Sequence, residues 1–190
     1  MNPVSIIACI KLLKLNRFII LMVKEKKVLR KILKVPYDKQ KTDYTCGPAS
    51  LKMILEFFGI KKPEIILAHQ AHTKKKTGTT HEQMINLVRR EGLYCYVHNQ
   101  SNINTIKHFI TAGLPVIISF KNPEDKEGHY AVAIGYNKGI IILNDPWNGK
   151  NFKIDDKVLK KFWVSENKGK KSIIVISKKP IIRGKQYNPL

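Results

Sequence analysis

Two apolar runs rich in β-branched residues lie either side of Asn137-Lys138-Gly139. One is Gly128-His129-Tyr130-Ala131-Val132-Ala133-Ile134-Gly135-Tyr136, the other Ile140-Ile141-Ile142-Leu143, closed by Asn144-Asp145-Pro146-Trp147. Crowding at Cβ favours strand over helix in such runs. A tight turn ending in Gly folds the two back on each other. This hairpin commits the later part of the chain to an antiparallel sheet. It also has a chemical consequence. His129 begins the first strand and Asp145 ends the second, so antiparallel pairing sets their ends side by side. A carboxylate beside an imidazole fixes its tautomer and leaves the other ring nitrogen free to act on a third group.

That third group is found upstream. Gln40-Lys-Thr-Asp-Tyr-Thr-Cys46-Gly47-Pro48-Ala49 leads into Ser50-Leu51-Lys52-Met53-Ile54-Leu55. The periodicity predicts a helix over residues 46–58, with Leu51, Ile54, Leu55 and Phe58 on the buried face and Gly59 as the stop. Pro48 falls in the first turn, where its missing N–H does no harm. Cys46 thus stands at the mouth of a helix, a setting that favours thiolate. The Gln40 side chain offers an amide donor for the oxyanion formed when sulfur attacks a carbonyl. Cysteine catalysts find their base through folding rather than through sequence adjacency. Cys46, His129, Asp145 and Gln40 are accordingly the candidate catalytic residues.

The remaining pattern is α+β. A second helix is expected over 64–72, followed by an exposed loop over 74–79. Thr80 to Gln83 makes a capping box for a third helix ending at Arg90. A strand follows over 93–97, then a helix over 103–111, a strand over 115–120, a loop over 121–128 and the hairpin. A short helix over 156–163 and a last strand over 172–177 complete the expected fold, in which an N-terminal helical part packs on a C-terminal antiparallel sheet. The expected organisation is a basic N-terminal extension over 1–34, one domain over 35–177 and a loose polar tail over 178–190.

The motifs together resemble the bacteriocin-processing, double-glycine peptidases, cysteine peptidase family thirty-nine. The resemblance rests on Val35-Pro36-Tyr37, Gln40, Cys46-Gly47-Pro48-Ala49, Gly78-Thr79-Thr80, Gly128-His129-Tyr130 and Asp145-Pro146-Trp147, and covers residues 35 to 163. It implies a papain-like fold, with a thiol on a helix facing a base on a sheet across a cleft. It implies Cys46 as nucleophile, His129 as base, Asp145 as the residue that orients it, and Gln40 in the oxyanion hole. The implied activity is peptide-bond hydrolysis on a peptide or protein substrate, with leader peptides ending in double glycine typical of the family. It calls for no cofactor. Two alternatives share the site: acyl transfer to an amine, and a peptide-binding domain without turnover. Transporter-linked members carry membrane and ATPase domains after the peptidase, and the 190 residues here contain neither.

Composition narrows the other classes. Three cysteines with no close pairs make no disulfide framework. Cys95 alternates with tyrosines in Tyr94-Cys95-Tyr96 and is expected to face the core as a small hydrophobe. His69 with His72, and Cys95 with His98, have ligand-like spacing but no second clustered pair, so no metal site is expected. The formal charge of +21 comes from lysines spread almost everywhere. This reads as a bias toward Lys, Ile and Asn rather than a shaped patch, and no nucleic-acid partner is expected. Weak contact with an anionic membrane surface stays open. The apolar runs before residue 30 are shorter than the roughly 20 residues a spanning helix needs. They also lack the order of a cleaved signal, and Met22 offers an alternative start. The expected location is cytoplasmic, with membrane association left open.

Overall fold

The computed structural model of the chain describes residues 30–121, 128–163, 171–181 and 185–190. The extension ahead of residue 30, the alternative start at Met22 and the interior of the 121–128 loop lie outside them. In chain order the elements are β1 (Arg30–Ile32), α1 (Cys46–Phe57), α2 (Glu64–Gln70), α3 (His81–Arg90), β2 (Tyr94–His98), α4 (Ile103–Thr111), β3 (Val116–Lys121), β4 (Gly128–Asn137), β5 (Ile140–Asp145), β6 (Gly149–Asp155), α5 (Asp156–Phe162), β7 (Ile173–Ser177) and β8 (Lys185–Tyr187).

The hairpin forms as its sequence dictates. Lys138 and Gly139 turn with φ of 41° and 85°, the two positive values that a type I′ turn requires. Around β4 and β5 the strands pair antiparallel in the order β6-β5-β4-β3-β7-β2-β8. β1 pairs with the far end of β4, Arg30 opposite Asn137 and Ile32 opposite Gly135. That approach is close. A Cβ on Gly135 would stand 2.7 Å from the Lys31 carbonyl oxygen, so only glycine fits there. One residue earlier, the β4–β5 register shifts between Ala133 and Gly135.

Both faces of the sheet are covered. Cys95, Ile117, Val132, Ile134, Ile142, Ile174 and Ile176 face a core shared with α1, α2 and α3. Their neighbours Tyr96, Val116, Ile118, Ala131, Ala133, Ile141, Leu143, Ile173 and Val175 face a second core with α4 and α5. This explains the continuous apolar runs, since a strand buried on two sides has no polar face to alternate with. It also refines the expected layout: α4 and α5 lie behind the sheet, and β1 and β2 come from the N-terminal half.

α1 is buried almost all round rather than along one stripe. Leu51, Met53, Ile54 and Leu55 are fully enclosed, each contributing about 2 kcal/mol of apolar transfer. Phe58 instead lies half-buried at the C-cap. Gly59, at φ 91°, closes the helix with its N–H on the Glu56 carbonyl (3.0 Å), while Ile60 N–H reaches the Leu55 carbonyl (2.8 Å); this is a Schellman motif. The Thr80–Gln83 capping box is present in both directions.

Two edges differ from expectation. β6 pairs with β5, where no strand was expected. Residues 178–190 are not a loose tail throughout: β8 adds to β2, Arg89 Nε donates to the Asn188 carbonyl at 2.7 Å, and Leu190 N–H donates to the Arg89 carbonyl at 3.0 Å. Backbone pairing at a solvated edge needs no apolar run, so neither strand announces itself by hydrophobicity.

Candidate active site

The site begins at the start of α1. Cys46 is its first residue, 8% exposed. No side chain caps this helix and no acidic residue occupies its first turn. Thr45, at the N-cap, turns its hydroxyl back to Thr42 instead, accepting from Thr42 N–H and donating to the Thr42 carbonyl, both at 3.2 Å. The first amides of α1 therefore meet no competing side-chain acceptor. Gly47 is favoured by proximity: a Cβ there would stand 3.0 Å from Thr79 Cβ, a contact that Thr79 would have to move to relieve. That contact gives a physical reason for the Gly78-Thr79-Thr80 motif, with Thr79 packed on the start of α1 and Thr80 capping α3. Thr79 Oγ1 is itself 2.7 Å from Thr73 Oγ1.

His129 is the second residue of β4. Its Nε2 lies 2.7 Å from Asp145 Oδ1. The register sets Val132 opposite Asn144, so His129 and Asp145 are diagonal neighbours rather than opposite ones, within reach of side chains of this length. Phe120, directly opposite His129, meets its ring edge-on at 5.6 Å. With Nε2 engaged, Nδ1 is left for the sulfur. Burial alone would lower the His129 pKa. Hydrogen bonds to Asp145 and to Cys46, together with their charges, overcome this and raise it from 6.5 to about 10. The favoured state of His129 is therefore imidazolium, held beside the Asp145 carboxylate.

Asp145 is fully buried. Its Oδ1 also accepts from the backbone N–H of Trp147 and of Asn148, both at 2.9 Å, and its Oδ2 from Asn148 Nδ2 at 3.1 Å. Burial works to raise its pKa. The hydrogen bond and charge of His129, then the Asn148 and Trp147 amides, leave it below the ordinary carboxylate value. Asp145 thus makes an Asx turn with the amides of Trp147 and Asn148 and contacts His129 through the same oxygen.

Gln40 is 7% exposed. Its backbone N–H donates to the Pro146 carbonyl at 3.1 Å, which ties its loop to the residue after Asp145. Its Nε2 donates one hydrogen to the Thr42 carbonyl at 2.7 Å. The amide carries a second hydrogen, and Oε1 is buried with no hydrogen-bond partner among the described residues. Contacts thus join His129 to Asp145 and the residue after Asp145 to Gln40, and Cys46 bears on His129 through the interaction that helps raise its pKa.

Three supporting residues escaped the sequence reading. Asn144, fully buried, donates to the carbonyls of Val35 (3.1 Å) and Pro36 (3.2 Å), anchoring the segment that leads to Gln40. Asn148 braces Asp145; the run Asp145-Pro-Trp-Asn148 carries an Asx-turn signal that would have found it. Tyr130, beside His129, has its hydroxyl 2.7 Å from His81 Nδ1. Cys95 lies in the core as expected, and burial raises its thiol to about 12, against a small lowering by Arg89. No described helix is long and apolar enough to cross a membrane.

The fold has known counterparts. The peptidase domain of Streptococcus ComA, a bifunctional ABC transporter of a quorum-sensing pathway, superposes with a TM-score of 0.63 at 19% identity, covering 78% of this chain and 98% of that one. A C39-like protein from Bacillus anthracis gives 0.67 at 19%, covering 80% and 99%. A double-glycine-motif protease from an AMS/PCAT transporter, solved with its leader peptide, gives 0.63 at 21%, covering 77% and 94%. At these identities the likeness is one of fold, here the papain-like α+β fold. No curated protein matches the sequence. The family model Peptidase_C39 like family matches residues 32–171, most of the chain and every residue of the site, and the chain belongs to that family.

Proposed function

We propose that this chain is a cysteine endopeptidase that cleaves a peptide bond through a thioester. The observation that carries this reading is the 2.7 Å contact of His129 Nε2 with Asp145 Oδ1, together with a ring that Asp145 and Cys46 both favour in its charged form. The Cys46 thiolate attacks the scissile carbonyl. The resulting oxyanion is met by the Cys46 backbone N–H and the free hydrogen of the Gln40 amide, each such donor contributing about 3 kcal/mol. The His129 imidazolium gives its proton to the leaving amine as the C–N bond breaks, which leaves the thioester and a neutral ring. His129 then draws a proton from water, hydroxide adds to the thioester, and sulfur departs as thiolate. Asp145 keeps the ring in one orientation throughout and stays ionised.

The proposed substrate is a leader peptide cleaved after small residues. The support is family membership together with the double-glycine-motif protease structure, which holds a leader peptide. The test is incubation of the protein with a panel of leader peptides ending in two glycines, followed by mass spectrometry of the products. Wild type is expected to release the leader at one bond, while Cys46→Ala leaves every peptide intact and keeps the wild-type circular dichroism spectrum. Equal cleavage by the two proteins would refute the assignment.

A further inference from the structure

Gln40 sits on a loop, yet an oxyanion donor must be held within a fraction of an ångström of its working position. What holds this loop is found in a carboxylate that the chemistry above does not use. Glu64 is the first residue of α2 and is only 4% exposed. Its Oε1 accepts from the backbone N–H of Lys41 at 3.0 Å, 23 positions away in sequence. Its Oε2 is buried without a hydrogen-bond partner among the described residues. Among the described residues no ion pair accounts for its burial: Lys52, whose charge it feels through space, bonds Asp38 at 2.8 Å and reaches Glu56 at 3.8 Å.

Consecutive amides of this loop are thus gripped from different elements. Gln40 N–H is held by the Pro146 carbonyl beside the Asp145 end of β5, and Lys41 N–H by Glu64 at the start of α2. The Gln40 side chain hangs between the two grips. A hydrogen bond from a backbone amide to a carboxylate is about twice as strong as one to a neutral acceptor. Burying a carboxylate is costly unless it is used.

We propose that Glu64 is a positioning residue that sets the Gln40 amide for oxyanion stabilisation. The proposal rests on the peptidase reading. Glu64 touches no reacting atom and acts through Lys41 on its neighbour.

The test combines kinetics with an activity-independent measurement on the full chain. With a short cleavable peptide, Glu64→Ala is expected to lower kcat about tenfold to a hundredfold with KM nearly unchanged, the scale of a small misplacement of a catalytic group. Glu64→Gln keeps the acceptor oxygen and is expected to restore most of kcat. In a Gln40→Ala background Glu64→Ala should cost nothing further, because the group it positions is gone. The rate of Cys46 alkylation should stay at the wild-type value, since the thiolate–imidazolium pair is untouched. Amide hydrogen exchange at Lys41 should quicken in Glu64→Ala and remain slow in Glu64→Gln. A full kcat loss persisting in the Gln40→Ala background, or Glu64→Gln as impaired as Glu64→Ala, overturns the proposal. If wild type itself shows no turnover, the peptidase reading falls and exchange decides the clamp alone: unchanged exchange at Lys41 in Glu64→Ala refutes it, and faster exchange confined to the Gln40 loop upholds it.

Discussion

Replacing Asp145 by Asn removes one charge from the line of three while keeping its shape. Oδ1 can still accept from His129 and from the amides of Trp147 and Asn148, and the Asn148 side chain can rotate its own amide to face the new NH2 group. The change therefore isolates the electrostatic part of the Asp145 role. In the wild type the His129 pKa stands at about 10 against an ordinary 6.5, a preference for imidazolium worth about 5 kcal/mol. Asp145 supplies one of the two hydrogen bonds and one of the two charges that raise it, working against burial. Removing that charge is expected to bring the ring down by about two pH units, or about 3 kcal/mol.

The assay is the pH dependence of kcat/KM. Its basic limb, which reports loss of the proton shared by the Cys46–His129 pair, should move from near pH 10 to about pH 8. Activity at pH 10 should then fall by about fiftyfold relative to wild type, at pH 8 by about twofold, and hardly at all at pH 6. Stability follows the same sign. Because the folded pKa of His129 is raised, its contribution is complete below pH 6.5 and is lost as pH climbs through about 10. Denaturant midpoints for the wild type should decline across that window, and those for Asp145→Asn should change far less. A basic limb that stays above pH 9 in Asp145→Asn would refute the account of how the imidazolium is held.

Two further substitutions probe the frame of the site. Asn144→Ala strands the carbonyls of Val35 and Pro36 and should cost about 2–3 kcal/mol in urea unfolding, since buried acceptors lose their donor. A loss below about 0.5 kcal/mol would mean those carbonyls find water instead. Gly135→Ala places a methyl against the Lys31 carbonyl and should displace β1. The readout is faster hydrogen exchange at the Leu33 amide, which donates to the Ile134 carbonyl at 2.8 Å in the wild type; unchanged exchange would contradict the close approach.

Much of this molecule is legible in short stretches of its chain. Gly59 ends α1, Thr80 and Gln83 start α3, and Lys138-Gly139 turns the hairpin; each is a local event decided by a few torsions and one or two backbone hydrogen bonds. Cys46 at a helix mouth and His129 and Asp145 at adjacent strand ends follow from the same local rules. The contacts that brace the site do not. Glu64 meets Lys41 across 23 residues, and Asn144 meets Val35 across 109. Neither side chain belongs to a period, a cap or a turn that would single it out. β6 and β8 escaped notice because edge strands are held by backbone pairing to a neighbour and carry polar residues outward. The sequence by itself determined which groups the site contains and which elements bear them. Only the tertiary structure decided that the sheet is covered on both faces, that His129 and Asp145 meet on a diagonal, and that two distant elements grip the loop of Gln40. Those outcomes depend on how separate elements pack, and no local pattern encodes the distance between residues that meet only after folding.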